Sequence, residues 1–200
     1  MVAIRDLGIQ EYARTWQAMQ QFNQERTATT EDEIWFLQHP PVFTRGLNCK
    51  LDPKLNPGNL PVVDTDRGGQ ITYHGPGQLI AYLLFDLKRR QRGVRHFVND
   101  IEQSIIDTLQ EFGVYACRRE GAPGVYVAER KIAALGIRIK RGASYHGLSL
   151  NLDMDTTPFL WIDPCGYEGL EVVNLCDLVP VSSLGSVQET LAKNLVRLLE

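Results

Sequence analysis

One stretch, Arg67 to Tyr82, restricts what this chain can fold into more than any other. It reads Arg-Gly-Gly-Gln-Ile-Thr-Tyr-His-Gly-Pro-Gly-Gln-Leu-Ile-Ala-Tyr, and five of its sixteen residues are Gly or Pro. They flank a β-prone Gln70–His74 segment, and glycine is favoured where backbone takes unusual dihedrals or lets another group come close. The expected order is turn, short strand, turn, strand. Arg67, Thr72, Tyr73, His74 and Gln78 add polar groups along the same backbone, which suits the wall of a site. The plain alternative is a Gly-rich hairpin whose polar residues face water.

Two hundred residues favour one domain spanning 1–200, and 44% hydrophobic content allows a sizeable core. No apolar run approaches the roughly 20 residues of a spanning helix, and the N-terminus has no apolar region of a secretory signal. The expected setting is therefore the cytoplasm, with no membrane partner. Cys49, Cys117, Cys165 and Cys176 are scattered with no CxxC pair, which argues against a zinc ribbon or a disulfide scaffold. A net charge of -3 gives no reason to expect nucleic acid. The run Lys88, Arg89, Arg90, Arg92, Arg95 reads first as a solvated loop or helix start, and it also suits an acidic protein surface.

Ile9, Tyr12, Trp16, Met19 and Phe22 at helical spacing predict an amphipathic helix over 9–22 with a core-facing stripe. Strands are expected at 33–38, 42–46, 79–87, 114–117, 124–128, 131–139 and 146–152, with a long surface loop over 48–61, a candidate lid. Val98, Ile101, Ile105, Leu109 and Phe112 predict a second helix closed by Gly113. Ser186 with Glu189 reads as the capping box of a last helix carrying Val187, Leu191, Leu195 and Leu198. Strands come in consecutive groups, so the class is α+β, with a mixed, mostly antiparallel sheet and helices on one face.

Two residues stand out as candidate chemistry. If the strand runs unbroken from 131 to 139, its period of two puts Lys131 on the apolar face of Ala133, Leu135, Ile137 and Ile139. An ammonium there is a candidate acid/base or electrostatic group. The alternatives are that Lys131 snorkels to water past the turn, or that Gly136 bulges the strand and breaks the register. Cys165 lies in Ile162-Asp163-Pro164-Cys165-Gly166, a tight turn whose exposed N–H groups suit both a thiolate and an oxyanion. Cys49, Cys117 and Cys176 read as small buried hydrophobes. His74 and His146 are available as partners for an acyl-transfer cysteine. The ligand types for a metal exist, but not the spacing, and a phosphate-cradling glycine motif is missing.

Arg67-Gly-Gly-Gln-Ile-Thr-Tyr-His74, Lys131-Ile-Ala-Ala-Leu-Gly136, His146-Gly-Leu-Ser-Leu-Asn151 and Pro164-Cys165-Gly166 resemble, in that order, blocks of the lipoyl(octanoyl) transferases. His39-Pro40-Pro41-Val42-Phe43-Thr44 looks like the family's opening, so the resemblance covers most of the chain. It implies the biotin/lipoate protein ligase fold and an acyltransferase with no cofactor and no metal. It further implies transfer of an octanoyl group from acyl carrier protein, through a thioester on Cys165, to a lysine of lipoyl domains. The acceptors it implies are 2-oxoacid dehydrogenase E2 subunits and the glycine cleavage H protein, and a monomer is the default. Lys131 would stand beside the cysteine. The acyl site would be lined by Arg67, Gly68, Gly69, Gln70, Ile71, Thr72, Tyr73 and His74. Ala134, Leu135 and Gly136 would complete it with Gly147, Leu148 and Ser149, the last in place of the family's alanine. Two rival readings remain open: an ATP-dependent lipoate or biotin ligase, though the Gly-Arg-Gly-Arg nucleotide loop of biotin ligases is not found, and a non-catalytic lipoyl- or acyl-binding module.

Overall fold

The computed structural model describes residues 2–49, 55–163, 169–181 and 183–200. Its elements are β1 (Val2–Ile9), α1 (Tyr12–Glu25), β2 (Asp32–Gln38), β3 (Val42–Arg45), β4 (Val62–Asp64), β5 (Ile71–His74) and β6 (Gln78–Leu84). Then come α2 (Val94–Glu111), β7 (Cys117–Arg119), β8 (Ala122–Val127), β9 (Arg130–Lys140), β10 (Ala143–Asn151) and α3 (Leu184–Leu199). A seven-stranded sheet has the order β1-β2-β6-β10-β9-β8-β7, and a three-stranded sheet has the order β4-β3-β5. Pairing is antiparallel except for β1 with β2 and β3 with β4. The α+β class with a mostly antiparallel sheet is as expected.

The apolar run of β6 follows from burial on both faces. Leu79, Ala81 and Leu83 pack under α2 and α3, whereas Ile80, Tyr82 and Leu84 pack toward α1. In β2, Ile34 and Phe36 face one way and Trp35 and Leu37 the other. Helices thus cover both faces, not one, because the central strands are apolar on both sides and each face needs a cover.

The helices obey their stripes with local shifts. Met19 is fully buried, but Ile9 is 64% exposed at the end of β1, an edge strand the sequence reading missed. Phe97 rather than Val98 begins the buried face of α2, and Gly113 at φ +77° follows its last turn. Val114 then bonds back to Leu109, so of the strand expected at 114–117 only Cys117 is in a strand, and β7 instead runs on to Arg119. The cap of α3 is Ser183, whose side chain accepts from the Ser186 N–H, and not Ser186 itself. Part of the candidate lid, residues 50–54, lies outside the described residues.

The basic run is largely a seam within the fold. Arg89 and Arg90 bind the Asp32 carboxylate at 2.8 and 2.6 Å, and Arg26 binds it at 2.7 Å. Burial alone would raise the Asp32 pKa, but the Asp86 N–H, Arg90 and Arg26 hold it below the ordinary value. Arg90 and Arg92 also donate to the carbonyls of Leu199 and Leu198, the orphan acceptors at the end of α3. A docking surface would rest on Lys88 and Arg95, which are exposed.

Candidate active site

The Gly-rich stretch and the β9–β10 hairpin face each other across a narrow cleft. Arg67, Gly69, Gln70, Ile71, Thr72 and His74 form one wall. Ala134, Leu135 and Gly136 of β9 and Gly147, Leu148 and Ser149 of β10 form the other. The walls come very close at Gly136, where a Cβ would lie 3.1 Å from Arg67 Cδ and 3.2 Å from the Gly68 carbonyl. A side chain there would push these neighbours back by a few tenths of an ångström.

Two expected lining residues are elsewhere. Tyr73 turns to the opposite side of β5 and packs on Phe43 and Phe159, with ring centroids 5.3 and 5.7 Å away. Strand alternation sets Tyr73 opposite Thr72 and His74, on the side where Ile71 also packs with Phe43 and Phe159. Gly68 donates its N–H to the Ile137 carbonyl and lines an adjoining groove with Val94, Val98, Leu135 and Ile137. The Arg67 guanidinium, only 7% exposed, donates to Thr44 O at 2.6 Å, Gln70 O at 2.6 Å and Gly68 O at 2.9 Å. It holds the wall in shape from within.

Several cleft residues were not foreseen. Tyr12, Ile80, Tyr82 and His146 also line it. Tyr12 belongs to the stripe that helical spacing assigns to the core, and periodicity cannot tell a core face from a cleft face. Behind them lies a buried polar layer. His39 Nδ1 lies 2.6 Å from the Gln10 carbonyl, which can only accept, so Nε2 accepts from the Tyr82 hydroxyl at 2.7 Å. His74 Nδ1 lies 2.7 Å from Gln78 Oε1, and Gln78 donates to Asn151 at 2.9 Å. Burial pushes His39 down to about 4 and His74 down to about 3, so both are neutral at pH 7. Asp66, next to Arg67, accepts from Trp16 at 2.8 Å, from His146 Nε2 at 2.9 Å and from the Tyr145 hydroxyl. It ties α1, the Gly-rich stretch and β10 together.

Lys131 is 4% exposed and does not snorkel to water. The register differs from the unbroken alternation. Ala133 pairs with Val125 but Lys131 pairs with Tyr126, so Ile132 is an extra residue in β9. Ile132 and Ala133 both pack under α2 and α3, and Lys131 turns to the other side, with Gly124 and Tyr126. Its apolar-face placement is therefore corrected, and the bulge is at Ile132 rather than Gly136. Nζ donates to the Pro123 carbonyl at 3.2 Å and sits 5.3 Å from the Tyr126 ring centroid. Lys131 does not line the cleft; it lies three residues along β9 from Ala134.

Cys165 lies outside the described residues. The chain downstream of it returns to Lys131: the Lys131 N–H donates to the Glu171 carbonyl at 2.9 Å, and the Val173 N–H donates to the Lys131 carbonyl at 3.1 Å. Cys117 and Cys176 are exposed, contrary to the buried reading, because they sit on an edge strand and a turn. Partial burial and the Asp153 and Asp177 carboxylates push the Cys176 thiol up, away from the thiolate form.

Residues 11–196 match the model of the lipoyl protein ligase A/B catalytic domain. An octanoyltransferase of Vibrio cholerae is 52% identical over 98% of this chain and 91% of its own length. An octanoyltransferase of Laribacter hongkongensis is 56% identical over 96% and 93%. The chain belongs to the octanoyltransferase family. As an octanoyltransferase it is an acyltransferase acting in protein lipoylation. The fold is shared with more distant proteins. A bipartite lipoate protein ligase of Thermoplasma acidophilum superposes with TM-score 0.77 at 16% identity, covering 98% of this chain and 83% of that one. A biotin protein ligase of Aquifex aeolicus gives TM-score 0.62 at 11% identity, covering 99% and 69%.

Proposed function

We propose that this octanoyltransferase takes its acyl group from octanoyl-acyl carrier protein, carries it on Cys165 as a thioester, and delivers it to a lysine of a lipoyl domain. The observation that carries the reading is Lys131: a buried lysine on the strand that lines the cleft, with its backbone bonded to the segment following Cys165.

The resting pair is a Cys165 thiolate with a Lys131 ammonium. The thiolate attacks the carbonyl carbon of the donor thioester, a C–S bond to Cys165 forms, and the carrier C–S bond breaks. The ammonium gives its proton to the departing carrier thiolate. In the second half, the neutral amine of the acceptor lysine attacks the acyl-enzyme and a C–N bond forms. Its surplus proton goes to the Lys131 amine, the Cys165 C–S bond breaks, and the starting pair is restored. No redox or adenylation step is needed, because one thioester replaces another of similar energy. Acceptors of this reading are E2 lipoyl domains and the glycine cleavage H protein.

Incubating the purified protein with octanoyl carrier protein and a lipoyl domain, with and without ATP, tests the reading. Transfer without ATP is the expected result. Transfer only from free octanoate plus ATP would instead favour a ligase.

A further inference from the structure

The two strands of the cleft give it a direction. Ala134 pairs with Ser149 at the end nearer Lys131, Gly136 pairs with Gly147 further along, and Ile137 pairs with His146 at the far end. Three residues of strand, at about 3.3 Å each, make that distance about 10 Å. An extended chain advances about 1.2 Å per bond, so the seven C–C bonds of an octanoyl group span about 8 Å and the eleven of a dodecanoyl group about 13 Å.

His146 closes the far end with a firm backing. It is 1% exposed, Asp66 holds its Nε2–H at 2.9 Å, Tyr145 stacks on it at 5.1 Å, and the Tyr82 ring stands edge-on at 6.1 Å. Its backbone is held at φ +58°, a costly conformation for a residue with a Cβ. Its Nδ1, left as a lone-pair acceptor by the bond to Asp66, has no hydrogen-bond partner among the described residues. Burial favours the neutral ring. An alkyl chain pushed against that nitrogen would bury an unsatisfied acceptor and meet a ring that cannot yield.

We propose that His146 is the end wall of the acyl cleft and determines its chain-length specificity, admitting about eight carbons and excluding twelve. The inference rests on the acyl-transfer reading for the identity of the ligand, but it is tested without transfer. Binding of octanoate, decanoate and dodecanoate is measured by calorimetry on the wild type, His146→Gly and His146→Asn. Both replacements are shorter and tolerate positive φ, so Asn serves if Gly compromises folding.

The wild type is expected to bind octanoate better than dodecanoate. His146→Gly is expected to raise the dodecanoate-to-octanoate affinity ratio by about tenfold or more, the scale on which an apolar pocket distinguishes added methylenes, with His146→Asn between. A ratio within about twofold of wild type in a folded variant overturns the proposal. Failure of carrier-dependent transfer alongside a shifted ratio would count against the transfer reading alone.

Discussion

Lys131 and Val172 form a parallel bridge, flanked by hydrogen bonds from the Lys131 N–H to Glu171 and from the Val173 N–H to Lys131. The second residue of β9 is thereby joined to the segment that follows Cys165 in the sequence. The first prediction rests on that junction. Cys165→Ala is expected to accumulate no octanoylated protein by mass spectrometry, and Cys176→Ala to accumulate it normally. Lys131→Ala should slow both half-reactions in single-turnover assays by about a hundredfold or more, the usual worth of a placed acid/base group.

Gly124 tests the packing around that lysine. It sits at φ +134°, and a Cβ there would lie 2.7 Å from the Ala133 carbonyl oxygen, 3.1 Å from Lys131 Cε and 3.4 Å from Nζ, so both the β9 backbone and the lysine would have to shift. Its N–H is held by Glu102 at 3.0 Å, so the backbone cannot easily yield. Gly124→Ala should cost about 1–3 kcal/mol in chemical denaturation through strain and displace Nζ. The single-turnover rate should fall beyond any loss of folded protein; an unchanged rate would show that neither the local course of β9 nor the position of Nζ is critical.

Asp32 offers a stability test remote from the cleft. Its side chain is 0% exposed and binds Arg26, Arg89 and Arg90. Removing one partner of a buried ionic cluster leaves uncompensated charge, so Asp32→Ala should destabilise the protein by about 3–5 kcal/mol, read from urea unfolding. Lys88→Glu, on an exposed residue of the same run, should cost little.

The histidine layer predicts an acid limb. His39 and His74 are held neutral with values of about 4 and 3, against 6.5 in the unfolded chain. The unfolded state therefore takes up protons first as pH drops below about 6.5. Stability should fall by up to about 1.4 kcal/mol per pH unit for each histidine between about pH 6 and 4. Asp32 and Asp66, depressed by their partners, add their own loss only below about pH 4. Urea midpoints measured across pH should show a shallower limb in His39→Gln.

Local patterns carried much of the fold. The stripes of α2 and α3 and the continuous apolar run of β6 are written in neighbouring residues, since side-chain period is a local property. Most of the cleft was equally legible, because glycine and small residues at Gly69, Gly136 and Gly147 mark where chains approach. The first strand was not, because an edge strand needs little apolar pattern of its own.

What the amino-acid sequence determined by itself was the family, the α+β class and most of the residues on the two walls of the cleft. Only the tertiary structure decided the face on which Lys131 lies, the partners that take up Arg89, Arg90 and Arg92, and the grip of Asp66 on Trp16, Tyr145 and His146. Each depends on segments far apart in the chain: an extra residue matters only against the partner strand it slips past, and an ion pair forms only where burial brings opposite charges together.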